Sequence, residues 1–139
     1  DGAGDARPTA AVLDAIRHAD LVVFGPSNPI VSIGPILALP GVRDALAAAR
    51  TVAVSPIVGG RALKGPADRM LASLGHAPTA LGVARMYEGL VDRFVLDDAD
   101  SALAPQVAEL GMIVSVLPTV MRSDADRAEL AERLISETA

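Results

Sequence analysis

Cysteine and tryptophan are missing from this 139-residue chain, and its aromatic residues are only Phe24, Tyr87 and Phe94. Without cysteine there is no disulfide framework, no thiolate nucleophile and no sulfur-ligated metal centre. The two histidines, His18 and His76, lie too far apart to form a metal-ligand spacing. No Ser-His-Asp arrangement can be defended, so the catalytic residues stay unassigned. Positive charge is scarce as well: 12 Lys and Arg against 17 Asp and Glu leave a net charge of -5. That balance excludes the basic surface that nucleic acid requires. A small phosphate ligand is still open, because backbone N–H groups bind phosphate without a net positive protein. No apolar run approaches the roughly 20 residues that span a bilayer. No membrane partner is expected, and the cytoplasm is the default location.

What the chain does have is aliphatic material. Ala, Val, Leu and Ile dominate a composition that is 51% hydrophobic, which is enough for a sizeable core within about one domain of length. Aliphatic-rich, aromatic-poor composition suits a parallel sheet covered by helices. The opening Asp1-Gly2-Ala3-Gly4-Asp5 is neither a signal peptide nor a natural-looking start. Residues 1–8 therefore read as a linker or truncated junction, and 9–139 as part of a larger domain.

Helical and strand-like stretches alternate along the rest. Thr9 is a plausible cap for a helix over 10–18, with Val12, Leu13 and Ile16 on one face. Leu21–Phe24 is a short apolar run of the buried-strand type. Helices are expected over 32–39 and 41–49, split by Pro40-Gly41. Thr51–Val54 reads as a strand and Ser55–Gly60 as a loop. A helix over 66–74 then starts on Pro66 and closes on Gly75. Further helices are expected over 79–87 (capped by Thr79), 101–110 (ended by Gly111) and 124–136 (capped by Ser123). Phe94–Leu96 and Ile113–Val116 supply two more strands. This order predicts an α/β fold with right-handed crossovers and a parallel sheet. Four strands make a thin sheet, which fits an incomplete portion of a larger fold.

Two loops carry the functional signal. In open α/β sheets ligands sit at the carboxyl ends of the strands. The first loop, Gly25-Pro26-Ser27-Asn28-Pro29, follows the first strand and leads into a helix near Ser32. Gly25 allows close backbone approach, Ser27, Asn28 and Ser32 offer donors, and a helix start offers free N–H groups to a phosphate. The alternative is a proline-rich turn, since the spacing is neither the dinucleotide fingerprint nor the P-loop. The second loop, Ser55 to Gly65, carries Gly59, Gly60, Arg61 and Lys64. Glycines beside cations suit a phosphate or pyrophosphate, but they also describe an ordinary surface loop. Asp97, Asp98 and Asp100 could bind a metal, though such a cluster more often caps the next helix, and no metal ligand is assigned.

Gly-Pro-Ser-Asn-Pro-Ile-Val-Ser-Ile-Gly-Pro-Ile-Leu at 25–37 and Ser-Pro-Ile-Val-Gly-Gly-Arg-Ala-Leu-Lys-Gly-Pro-Ala at 55–67 resemble the two signature segments of the 2-phospho-L-lactate transferase family of coenzyme F-420 biosynthesis. Leu81–Tyr87 and Phe94–Asp98 fit as well. The match runs in order over most of residues 10–122, with wording closest to the actinobacterial branch. The resemblance implies a Rossmann-like, usually dimeric transferase. It moves a phospholactyl or phosphoenolpyruvyl group from a GDP-linked donor to the deazaflavin Fo, releasing GMP with the help of Mg2+. By the same resemblance, Gly25, Pro26, Ser27, Asn28, Ser32, Ser55, Gly59, Gly60, Arg61 and Lys64 would bind the donor. Family members are about twice this length and carry a Gly-rich loop and acidic residues in a first half that is not seen here. The acceptor and Mg2+ sites would then lie outside this chain, and the chain alone would be inactive. A related group of nucleotide-sugar-binding regulators with a similar Gly-Pro-Ser loop is the competing reading. Ser27-Asn28-Pro29 and Gly59-Gly60-Arg61 favour the transferase.

Overall fold

A computed structural model describes residues 5–137. The expected linker over 1–8 therefore lies partly outside the described residues. Four parallel strands form the sheet: β1 (Val22–Phe24), β2 (Thr51–Val54), β5 (Arg93–Leu96) and β6 (Ile113–Val116), side by side in that order. Between β2 and β5, a hairpin of β3 (Ile57–Val58) and β4 (Arg61–Ala62) stands apart from the sheet. The helices are α1 (Ala10–His18), α2 (Gly34–Leu37), α3 (Val42–Ala47), α4 (Ala67–Ser73), α5 (Ala80–Met86), α6 (Ala104–Ala108) and α7 (Asp124–Ser136). None of them is long and apolar enough to cross a membrane.

Register separates the two faces. Phe24 pairs with Ala53 and Ala53 with Phe94, so these side chains share one face. There they join Val42 and Leu46 of α3, Leu71 of α4, Val83 of α5 and Val107 of α6 in the main core. Tyr87 sits 5.5 Å from the Phe24 ring, centroid to centroid. The opposite face presents Val52, Val54 and Val95 to Leu130 and Leu134 of α7. Both faces of β2 are buried, which is why its sequence is a continuous apolar run instead of an alternating one. Val23 of β1 lies on the α7 side of the edge strand and is 47% exposed, whereas Val52 beside it is fully covered.

Local chemistry sets the boundaries. Thr9, Thr79 and Ser123 cap α1, α5 and α7 through their hydroxyls, and Asp126 completes a capping box with Ser123. The far end of α7 is fastened to the sheet. Arg93 donates to Ser115 Oγ and to the Glu137 carbonyl, both at 2.8 Å, and the Ser115 hydroxyl donates to Glu137 Oε2 at 2.6 Å.

Three expectations are corrected. The helix expected over 32–39 is a π-helical turn, Pro29–Ile33, followed by the short α2. The helix expected over 101–110 begins as a 3-10 turn, Asp98–Leu103, before α6. Pro66 precedes α4 as its cap residue rather than being its first helical residue.

Gly82 shows how tightly the helical layer packs. A Cβ at this position would lie 1.9 Å from the Ala77 carbonyl oxygen, which is itself held by the Thr79 N–H at 2.8 Å. Gly82→Ala is therefore expected to destabilise the chain by about 1–3 kcal/mol despite alanine's better helix propensity. Chemical denaturation checks this, and unchanged or raised stability would show that the 75–79 turn yields freely.

Candidate functional site

The two loops singled out in the sequence leave neighbouring parallel strands at the same edge. β1 and β2 pair directly, so the segments after Phe24 and after Val54 emerge side by side at the carboxyl edge. A cleft of about 400 Å³ opens there. The β1 loop contributes Pro26 and Asn28, and the β2 side contributes Ser55, Pro56, Leu63 and Lys64. A third wall comes from the segment after β6, Thr119, Val120 and Met121, together with Arg127 of α7. The charged groups lining this cleft are two cations, Lys64 and Arg127, in a chain that is net negative. Arg127 also pairs with Asp124 one turn back on α7.

Each expected residue has a definite place. Asn28 Oδ1 accepts from the N–H groups of Ile30 (2.9 Å) and Val31 (3.3 Å), and its amide donates to Met70 Sδ (3.4 Å). Asn28 is thus the cap that starts the π-helical turn, as well as a wall of the cleft. Ser55 is buried, and its hydroxyl is engaged with the backbone of Ile57. No protein atom stands within 4 Å of where a Cβ on Gly25 would sit, so the backbone there faces open space. Ser27 and Ser32 are exposed beside the cleft and do not line it. Gly59 and Gly60, at φ +58° and +77°, form the two-residue turn of the β3–β4 hairpin, where positive φ at both positions is required. The Gly59 N–H is already taken by Asp100 Oδ2 at 3.0 Å. Arg61 is exposed on β4, outside the cleft lining. The structure therefore brings Pro26, Asn28, Ser55 and Lys64 together and leaves the other six around them.

Sequence reasoning missed Thr119, Val120, Met121 and Arg127. Treating the segment after the last strand like the two earlier carboxyl-edge loops would have found the first three. Nothing in the sequence marks Arg127.

The aspartates after β5 do not converge. Asp97 Oδ2 accepts from both the N–H and the hydroxyl of Thr119 at 2.9 Å, and Oδ1 accepts from the Ala99 N–H at 3.1 Å. Asp100 turns the other way, to the hairpin. The described residues hold no group of three His, Cys, Asp or Glu placed for a metal ion. Asp97 and Asp100 are committed to donors on opposite sides and Asp98 is exposed, so the three do not converge on a Mg2+ site. Burial pushes the Asp97 carboxyl up, but hydrogen bonds from Ala99, Thr119 and Val120 outweigh it and hold the group below the usual carboxylate range.

A second hollow, of about 520 Å³, lies beyond Val120 between the Asp97-Asp98 turn and α7. It mixes Arg122 and Arg133 with Asp97, Asp98, Asp126 and Glu129, so it lacks the single-sign character of the first.

A family model described as 2-phospho-L-lactate transferase CofD matches residues 2–130. The chain is 42% identical over 131 residues to the 2-phospho-L-lactate transferase of Methanothermobacter thermautotrophicus, covering 94% of this chain and 43% of that protein. It is 43% identical over 141 residues to the phosphoenolpyruvate transferase of Streptomyces griseus, covering 99% of this chain and 44% of that one. The chain thus spans less than half the length of these curated relatives. In fold it is similar to the crystal structure of a Bacillus halodurans protein, with TM-score 0.60 and 24% identity, over 94% of this chain and 48% of the other.

Because the Asp97 pKa is lower folded than unfolded, its contribution is present above the unfolded carboxyl value. It is lost as pH falls through the folded one. Acid titration of stability is expected to show a loss below the ordinary carboxylate range that Asp97→Asn reduces. An identical acid limb in both proteins would remove this carboxylate from the acid response.

Proposed function

The chain belongs to the 2-phospho-L-lactate transferase CofD family, and from that premise we propose that residues 9–139 form the C-terminal, donor-binding portion of a transferase in coenzyme F-420 biosynthesis. The observation that carries this reading is the cleft where the two family-like loops meet, lined by Lys64 and Arg127 and by no carboxylate. An anionic ligand suits such a site. A diphosphate would lie between the two cations, and Pro26, Pro56, Leu63 and Met121 provide apolar surface for a ring or acyl group. In the proposed reaction, a hydroxyl of the deazaflavin Fo attacks the phosphorus bearing the three-carbon acid. The bond from that phosphorus to the GMP bridging oxygen breaks, GMP leaves with that oxygen, and the hydroxyl proton is released to solvent. Mg2+, held by residues outside this chain, would neutralise diphosphate charge. The residues described here would bind and orient the donor, which is a large share of catalysis in phosphoryl transfer.

GDP binding to the chain by calorimetry tests the proposal. Lys64→Ala and Arg127→Ala should each weaken GDP by roughly tenfold or more, the value of one charge-assisted contact. Asn28→Ala should weaken binding too, and as a cap it should also cost about 1 kcal/mol of stability. The chain alone should bind GDP without converting a GDP-linked donor and Fo to product. GDP binding that is unchanged in both cation variants would remove the donor site from this cleft. A preference for UDP-sugars over GDP would turn the reading toward a nucleotide-sugar-binding regulator.

A further inference from the structure

We propose that Asp97 and Asp100 are positioning residues that hold opposite walls of the carboxyl-edge cleft from a single turn after β5. Only the choice of GDP as a probe rests on the proposed function. β5 lies between β2 and β6, so the loop after β6 starts two strand spacings, about 9–10 Å, from the loop after β2. The β6 ladder continues until the Leu117 N–H reaches the Leu96 carbonyl at 3.0 Å. Thr119 then folds back over the end of β5 and gives both of its donors to Asp97 Oδ2. That fold-back delivers Val120 and Met121 to the cleft. Three residues on, Asp100 reaches the opposite way and takes the Gly59 N–H at the hairpin tip. The second strand of that hairpin, β4, runs directly into Leu63 and Lys64.

Capping explains only part of this arrangement. The 3-10 turn needs one acceptor at its start, and Asp97 Oδ1 supplies it to Ala99. The other oxygen is free to take a strand-distant loop, and Asp100 serves no cap at all. Both residues are only 7% exposed. Removing the Asp97 acceptor would leave the buried Thr119 donors unpaired, and removing Asp100 would release the Gly59 N–H at the hairpin tip. The low proton affinity of Asp97 agrees with a carboxylate that keeps these bonds throughout the neutral range.

Asp92 provides the control. It accepts from the N–H and hydroxyl of Thr51 at 2.8 and 3.0 Å, the same kind of anchor at the opposite, amino edge of the sheet. The experiment compares Asp97→Asn, which loses one of two working acceptor oxygens, with Asp100→Ala and Asp92→Ala, which lose the acceptor outright, in the 139-residue chain at a temperature where all are folded. Amide hydrogen exchange and backbone resonances are followed together with GDP affinity. Asp97→Asn should speed exchange at Thr119 and shift Met121, and Asp100→Ala should speed exchange at Gly59 and shift Lys64. Each should weaken GDP by roughly tenfold, while Asp92→Ala lowers stability and leaves GDP affinity unchanged. Equal loss of GDP affinity in Asp92→Ala would show a merely structural role and overturn the proposal. Full GDP affinity in both cleft variants would overturn it as well. If the unsubstituted chain binds no GDP, the proposed function fails and the exchange data decide this proposal alone. Unchanged exchange at Thr119 and Gly59, with Met121 and Lys64 unmoved, would then sink it. Should Asp97→Asn not fold, Thr119→Val removes the hydroxyl half of the same bond and Thr119→Ser restores it. Loss of affinity in the first and recovery in the second supports positioning, and equal affinity in both overturns it.

Discussion

The Asp97 carboxylate gathers what the parallel sheet would otherwise keep apart. Parallel strands send all their outgoing loops to one edge, but they space those loops by strand position. Strand neighbours β1 and β2 bring their loops together without help. The loop after β6 has no such neighbour at the cleft, and two hydrogen bonds to one oxygen of Asp97 bring it back across β5. Backbone donors in a buried turn must find acceptors, and here the acceptor decides where Thr119 to Met121 sit. The third wall of the cleft follows from that fold-back, while α7 with Arg127 is held by its own packing on the sheet.

Charge distribution points the same way. The chain is net -5, yet no carboxylate lines the carboxyl-edge cleft. Asp97 and Asp100 are turned inward to backbone N–H groups, and Asp124 pairs with Arg127 along α7. What remains facing the cleft is Lys64 on one side and Arg127 on the other. In the proposed reading, a cleft of this kind on an acidic protein would draw anions by local geometry and not by overall field.

Much of the architecture was legible because its signals are local. Apolar runs bounded by turn residues gave the four sheet strands, and Thr9, Thr79 and Ser123 marked their helices by side-chain chemistry within three residues. The carboxyl-edge rule placed both loops correctly. The roles inside those loops were less legible. Gly59-Gly60 beside Arg61 looks like a phosphate cradle, but the same pair suits a hairpin turn, and the pairing of Ile57 with Ala62 decides for the hairpin. Asn28 looks like a free donor until its carbonyl is seen to cap the π-helical turn. Thr119 was invisible because its meaning depends on a residue 22 positions earlier. Gly59 depends likewise on one 41 positions later. Contacts at those separations leave no periodicity to read.

The chemistry that the cleft lacks is as informative as what it holds. A phosphoryl-transfer centre needs anion binding, a metal or cation clamp on the reacting phosphate, and a group that orients the attacking hydroxyl. Lys64 and Arg127 can supply the first. Asp97 and Asp100 are engaged with the cleft walls, and His76 lies on the exposed turn after α4, away from the cleft lining. In the proposed reading, the residues lining this cleft bind and orient the donor and are assigned neither the metal nor the acceptor. The sheet runs in one direction from β1 to β6. Ligand crevices in doubly wound folds open where strand order reverses, so any such reversal can fall only beside β1 or beside β6. The cleft lies against the β1 loop, and β1 is the edge that leaves Val23 half uncovered.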